Sequence, residues 1–245
     1  MKTGLEGKTV IITGAARNMG RHAATTFAGE GCNLAICTSQ SMDGLYETAE
    51  LASKTGTKVV AEKCDITDAT AVEGFVKKAH AAFGSIDIFV NCAGFRSETD
   101  LLTESVDRWM QNVAVNLHGP YFVCKQVIPH MMEKRWGRII NFSGISTQTG
   151  SFPGKAMVKL GIVGFTRGLA KQYGAYNITA NCIAPGYIEV EREVTQVGKG
   201  VFPKQPIQRG GTLDEVASLI VFLASEGAGY ITGQCYWING GAYMQ

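Results

Sequence analysis

The sequence predicts an α/β fold in three layers, α/β/α, around one parallel sheet. Three observations predict it. Short apolar runs alternate with amphipathic stretches over all 245 residues. The runs are nearly continuous in apolar and β-branched residues, as strands buried on both faces are. The stretches between them have helical length and character, which is the pattern of repeated strand–helix–strand units.

The elements follow in order. Lys8 to Thr13 is the first strand, and a glycine-flanked turn then opens a helix running to about Glu30. Asn33 to Thr38 and Thr57 to Cys64 are the second and third strands. Ile86 to Asn91, Gly137 to Phe142, Ile178 to Ala184 and Cys235 to Asn239 complete the set. Helices fill the gaps, among them Ser105 to Glu133 and Lys155 to Tyr173. Right-handed crossovers between such strands give a Rossmann-type doubly wound parallel seven-stranded sheet. No linker, repeat or low-complexity tract interrupts residues 1–245, so a single domain is expected. Residues of about 187–212 form a polar stretch with Gly198, Gly200, Pro203 and Pro206 and no clear period. It follows the sixth strand at the carboxyl edge, where ligands bind in such folds, and reads as a substrate lid.

Bulk properties exclude several classes of function. A hydrophobic fraction of 45% with 18% charged residues is ordinary for a globular domain. A net charge of +2 gives no electrostatic case for nucleic acid or an anionic membrane surface. Lys77-Lys78 and Lys134-Arg135 read as solvated helix faces. No apolar run reaches membrane-span length and the start of the chain lacks a signal-peptide core, so a cytoplasmic location is expected. The seven cysteines are odd in number, form no Cys-x-x-Cys and mostly sit in strand-like runs, which reads as buried free thiols. The four histidines show no metal-ligand spacing, so no metal site is expected.

The turn Thr13-Gly14-Ala15-Ala16-Arg17-Asn18-Met19-Gly20 carries the first functional signal. It leaves a strand and opens a helix. Gly14 permits the tight turn, Gly20 allows close packing of helix on sheet, and free amides at the helix start face a pyrophosphate. Asn18 stands where a further glycine is usual, and Asn is the best non-glycine occupant of a positive-φ position. Three more motifs end strands: Cys64-Asp65, Asn91-Cys92-Ala93-Gly94 and Ala184-Pro185-Gly186. Later segments are Arg209 to Ala217, Tyr230 to Gln234 and Asn239-Gly240-Gly241. Together these motifs resemble the classical short-chain dehydrogenase/reductase family over essentially the whole chain.

That resemblance implies a dinucleotide site. Gly14, Arg17, Asn18, Met19 and Gly20 would hold the phosphates, and Asp65, with Ile66 beside it, the adenine. Asn91, Ala93 and Gly94 would line the adenine ribose, Lys159 the nicotinamide ribose, and Pro185, Gly186 and Ile188 the nicotinamide. The second strand ends in Thr38-Ser39-Gln40-Ser41, with no carboxylate before Asp43. An NAD-preferring site usually offers a carboxylate there. Ser39 can accept a 2′-phosphate and Arg17 can pair with it, so NADP(H) is favoured over NAD(H). Val190 stands where many relatives have a threonine that bonds the carboxamide, a loss of about 1 kcal/mol.

The resemblance also implies a catalytic set of Asn, Ser, Tyr and Lys, and here the chain departs from it. Asn116 and Lys159 match. The serine position falls on Gly144, with Ser143 one place early and facing elsewhere, and Ser146 two places late and near enough to reach the pocket. The tyrosine position falls on Lys155, and sliding the register supplies no tyrosine either. Three readings are open. In the first, an NADP(H)-dependent carbonyl/alcohol oxidoreductase works with an altered set in which Lys155 serves as acid. The pKa of an unperturbed lysine (~10.4) is close to that of an unperturbed tyrosine (~10). Lys155 and Lys159 share a helix face at i, i+4, so repulsion and desolvation would depress at least one of them. In the second, the same lysine pair runs non-redox lyase or isomerase chemistry. In the third, the chain is a non-catalytic NADP(H)-binding sensor. Lys155 as a solvated side chain pointing away is the plain alternative to all three. Losing a general acid costs roughly 10^2- to 10^4-fold, which leaves the redox reading first.

The expected substrate is a small molecule, with a carbonyl compound as the candidate class. Phe95, Arg96, His118, Phe152, Tyr187, Arg192 and Phe202 are pocket candidates, and the two arginines point weakly to an anion. Apolar residues crowd Ser105 to Glu133 (Val113, Val115, Leu117, Tyr121, Phe122, Val127) and recur at Ile162, Phe165, Leu169 and Tyr173. Too many faces are apolar for helices covered on one side only. By the resemblance, a homotetramer follows.

Overall fold

The computed structural model describes residues 2–190 and 205–244. All seven strands lie in one sheet in the order β3-β2-β1-β4-β5-β6-β7, and every pairing is parallel. The strands are β1 (Thr9–Thr13), β2 (Asn33–Thr38), β3 (Val59–Lys63), β4 (Ile88–Asn91), β5 (Gly137–Phe142), β6 (Ile178–Pro185) and β7 (Cys235–Ile238). The doubly wound fold expected from the alternation is therefore present. β1 lies between β2 and β4, so the chain winds outward one way and then returns to wind the other. That reversal opens a crevice at the carboxyl ends of β1 and β4.

The helices are α1 (Asn18–Gly29), α2 (Met42–Ser53), α3 (Ala69–Phe83), α4 (Val106–Val113), α5 (Gly119–Lys134), α6 (Ser146–Thr149), α7 (Pro153–Tyr173) and α8 (Leu213–Ala224). Alternation along each strand sorts the core into two layers. Val10, Ile12, Leu34 and Ile36 pack with Phe27, Val216 and Ile220 of α1 and α8. Ile11, Ala35 and Phe89 pack on the other face with Phe75, Val123, Val127 and Leu169 of α3, α5 and α7.

The structure corrects two helices. The stretch expected as one helix from Ser105 to Glu133 is interrupted by a π-helical turn at Ala114–His118. The amide of Asn116 bonds the Asn112 carbonyl in that turn, and such insertions into the helical ladder often mark functional sites. The helix expected from Lys155 starts at Pro153, a proline suited to the first helical position. Phe152 just before it takes a left-handed φ of 56°. The expected lid lies mostly at residues 191–204, outside the described residues, as do Arg192 and Phe202. Its described parts are 187–190 and 205–212, joined by a bridge between Ile188 and Gly211.

Candidate active site

The first turn is built by close approach. Gly14 has φ of 65°, and a Cβ there would lie 2.7 Å from the Ala93 amide nitrogen. A Cβ on Gly20 would collide with the Gly14 carbonyl oxygen. Asn18 takes φ of 50°, the conformation expected of it in a glycine's place. The Arg17 cap residue is extended and gives no side-chain acceptor to the first turn of α1. A cradle that any Cβ would fill, with helix-start amides beside it, fits a pyrophosphate. Arg21, absent from the candidates read in the sequence, braces this turn. Its guanidinium donates to the Ala16 carbonyl at 2.8 Å, to Thr48 Oγ1 at 3.1 Å and to Glu47 at 2.8 Å. An arginine one turn into a helix gives no sequence sign of such a role.

The other expected cofactor residues lie at the same edge. Ser39 is exposed just past β2, and Asp65 is exposed just past β3. One Asp65 oxygen accepts from the amide and hydroxyl of Thr67, while Asp68 caps α3. Ile66 is buried hard against Gly119, where a Cβ would collide with its Cδ1. Asn91 ends β4 at this edge. Its side chain is buried and faces along the sheet, accepting from Thr13 Oγ1 at 3.2 Å and donating to Asn141 Oδ1 at 3.2 Å. Asn141 in turn donates to Thr166 Oγ1 at 3.0 Å. This buried chain ties β1, β4, β5 and α7 together, so the Asn91 side chain orders the edge. Gly94 sits against Asn116, with 3.5 Å from a Cβ to the Asn116 Oδ1. Gly186 packs so closely on Asn239 that a Cβ would lie 2.7 Å from its Cβ. Ile188 is buried.

Asn116 and Lys159 lie in direct contact. The Lys159 ammonium donates to Asn116 Oδ1 at 3.2 Å and to the Phe142 carbonyl at 3.2 Å. The Asn116 amide donates to the Phe95 carbonyl at 2.8 Å and to Asn112. The π turn sets this direction. Burial of the ammonium depresses the Lys159 pKa to about 8; Cys182 pulls it back up and Lys155 pushes it down. The i, i+4 repulsion expected of the lysine pair thus acts on Lys159.

The remaining candidates are arranged as follows. Ser143 faces away, donating to the Lys159 carbonyl at 3.0 Å. Ser146 is buried, and its hydroxyl has no hydrogen-bond partner. A Cβ on Gly144 would meet only that hydroxyl, at 4.0 Å. Ser146 therefore presents its oxygen beside the space a Gly144 side chain would enter. Lys155 donates to Glu98 Oε1 at 2.6 Å, with its ammonium 5.9 Å from the Phe152 ring centre. Its side chain is neither hydrogen-bonded to Asn116 nor turned into open solvent. Tyr187 lines a cleft of about 390 Å³ with Arg209, Glu215 and Asn239. Among the described residues, no group of three His, Cys, Asp or Glu side chains is placed to hold a metal, and no helix is long and apolar enough to cross a membrane.

A strand-end glycine cradle, a doubly wound sheet and an Asn–Lys pair on adjoining helices define an oxidoreductase fold of the short-chain type. The family described as enoyl-(acyl carrier protein) reductase matches residues 14–243. The 3-oxoacyl-(acyl-carrier-protein) reductase of Chlamydia muridarum is 37% identical over 98% of this chain and 99% of its own. The Escherichia coli enzyme of the same name is 34% identical over 98% of both. Among solved structures, a putative short-chain alcohol dehydrogenase from Sinorhizobium meliloti superposes with a TM-score of 0.93, at 30% identity over 99% of this chain and 98% of that one. A short-chain dehydrogenase/reductase from Serratia marcescens gives 0.90 at 30% identity, over 97% and 98%. The chain belongs to the classical short-chain dehydrogenase/reductase family.

Proposed function

We propose that the protein is an NADP(H)-dependent carbonyl/alcohol oxidoreductase with an altered catalytic set, Lys155 standing where the family has tyrosine and Gly144 where it has serine. The observation that carries this reading is the enclosed Lys159 ammonium, bonded to Asn116 and held at about 8 beside the glycine cradle. NADP(H) is favoured over NAD(H) because Ser39 and Arg17 offer a hydroxyl and a cation, with no carboxylate at the end of β2. The bound nicotinamide supplies or takes up hydride. This chain's own residues handle the oxygen and its proton. Ser146 turns its unpartnered hydroxyl, buried in the ligand-free chain, toward the substrate oxygen. Lys159, titrating near the working pH, gives up or receives the proton, and Asn116 fixes its position. Lys155 adds positive charge to the oxygen's surroundings from the same helix face.

The substrate is a small carbonyl compound or alcohol, the location is cytoplasmic, in keeping with seven free thiols, and the assembly is a homotetramer. The test is NADPH oxidation against a panel of ketones and oxo esters, with NADH in parallel. Turnover that prefers NADPH and falls roughly 10^2- to 10^4-fold in Lys159→Met supports the reading. No turnover across the panel overturns it. The depressed Lys159 pKa also favours a second reading, amine chemistry on a carbonyl substrate in a lyase or isomerase. Borohydride reduction in the presence of a carbonyl substrate would then add mass to Lys155 or Lys159, and an unchanged mass rejects it.

A further inference from the structure

The oxidoreductase reading gives Lys155 a general electrostatic part and leaves its partners Glu98 and Arg96 without one. Lys155 on α7 and Arg96 on the loop after β4 both donate to Glu98, at 2.6 Å and 2.7 Å, one to each carboxylate oxygen. Glu98 is the more enclosed partner of Arg96, at 31% against 58% side-chain exposure, and Lys155 is 23% exposed. Burial pushes the Glu98 pKa up, yet the bonds from Arg96 and Lys155 hold it at about 2. The group therefore carries two cations and one anion, an excess of one positive charge. Other charged groups on this loop are held by neutral partners, Asp100 among them, which accepts from the Leu102 amide. Arg108 donates to Thr99 Oγ1 and to the Arg96 carbonyl, and Glu104 accepts from Ser97.

The loop that carries this group is braced against the Asn116–Lys159 pair. The Arg108 guanidinium lies 5.0 Å over the Phe95 ring, and the Phe95 carbonyl accepts from Asn116 at 2.8 Å. From the other side, Phe152 takes a left-handed φ of 56° directly before α7 and sets its ring under the Lys155 ammonium. Strain of that kind on a non-glycine residue persists only where its surroundings hold it. Lys155 and Lys159 are neighbours on one helix face, with Cβ atoms roughly 5–6 Å apart. A molecule whose oxygen lies at Lys159 has Lys155 within reach of its far end.

We propose that Lys155 and Arg96, sharing the Glu98 carboxylate, form an anion subsite that takes the free carboxylate of a short oxo or hydroxy acid. This deepens the oxidoreductase reading, on which it rests, by naming its substrate class. When the carboxylate docks on Lys155, Glu98 keeps Arg96, and each cation then has its own anion. The exchange needs no charge to be left unpaired. An acyl group joined to a carrier protein has no free carboxylate to offer, so the subsite separates this chain from what its relatives' names describe.

The experiment has a turnover arm and a binding arm, both on the full chain with NADPH. Acetoacetate is compared with methyl acetoacetate, which lacks the charge. The acid is expected to have the higher kcat/KM by about ten-fold, the worth of one charge-assisted bond. An ester that is turned over as well or better overturns the subsite. Malonate, which has no ketone, is titrated by calorimetry. Its affinity is expected to fall about ten-fold in Lys155→Met and to rise in Glu98→Gln, which removes the competing carboxylate. The rise in Glu98→Gln is an outcome that misfolding cannot produce. Malonate affinity unmoved by both substitutions overturns the proposal. Lys155-dependent malonate binding with no NADPH oxidation by any carbonyl would keep the subsite and reject the oxidoreductase reading. Ester turnover without malonate binding would do the reverse.

Discussion

Lys159 is the residue whose environment most constrains the chemistry. Its pKa falls from the ordinary 10.5 to about 8, first because burial disfavours the ammonium. Between pH of about 8 and 10.5 the unfolded chain holds a proton that the folded chain has lost. Stability from this group therefore rises with pH across that window, while below about 8 the cost of the buried charge is fully present. The difference in Tm between the wild type and Lys159→Met, followed from about pH 7 to about pH 10, is expected to shift toward the wild type as pH rises; a flat difference refutes the depressed pKa. The same proton sets the activity. Ketone reduction is expected to weaken as pH climbs through about 8, and alcohol oxidation to strengthen through the same range. Single residues are unevenly legible in the sequence. Asn18 at positive φ and Ser143 facing away follow from local rules and are found so. The pairing of Lys155 with Glu98 spans 57 residues of chain, and no local pattern encodes it. The inward turn of Asn91 is hidden for the same reason, since Asn141 lies 50 residues on.

At the scale of elements, the turn between β1 and α1 makes an opposed pair of effects decidable. Replacing a helical glycine by alanine gains about 1 kcal/mol in intrinsic propensity. At Gly20 the new Cβ would run into the Gly14 carbonyl oxygen, a backbone atom that cannot swing aside. Displacing α1 to relieve that contact costs about 1–3 kcal/mol, so the net sign is destabilising. Gly20→Ala is expected to lower stability in urea unfolding and to weaken NADPH binding measured by fluorescence; unchanged binding would mean the turn does not cradle the cofactor. Alanine at Gly164 or Gly168, where a Cβ meets nothing within 4 Å, is the contrasting case for the isolated fold. The central strands are legible because burial on both faces leaves a run of apolar residues, whereas the edge strands β3 and β7 are only half-buried. The stretch Ser105 to Glu133 reads as one continuous helix because its period is nearly unbroken. Its π turn depends on Asn116 reaching the Phe95 carbonyl, 21 residues away, which periodicity does not record.

The whole molecule carries an uncovered apolar side. Val106 and Met110 on α4, Tyr121 on α5, and Met157 and Leu160 on α7 are each more than half exposed. These helices run together: a Cβ on Gly161 of α7 would touch Leu117 of the π turn at 3.0 Å, and the Tyr121 and Phe165 rings lie 6.1 Å apart. Leu160, Gly164 and Gly168 are spaced by four residues on the outer face of α7, and all three are exposed. Two small residues beside a leucine leave room for another helix to approach closely. Leaving such a face in water forgoes about 1.5–3 kcal/mol for each large side chain that a partner would bury. A stable interface needs roughly 1,200–2,000 Å² in total, and pairing two copies through this side is a direct way to reach it. The protein is expected to behave as a homotetramer in light scattering at micromolar concentration. Leu160→Glu, which sets like charges against each other across a two-fold axis and strands them in an apolar contact, is expected to lower the mass to that of dimers or monomers. Because Lys155 and Lys159 share α7 with Leu160, loosened pairing should also release the first turn of that helix and raise KM before it lowers the yield of folded protein. A Leu160→Glu variant with the wild-type mass would place the interface elsewhere and leave this apolar face without an occupant.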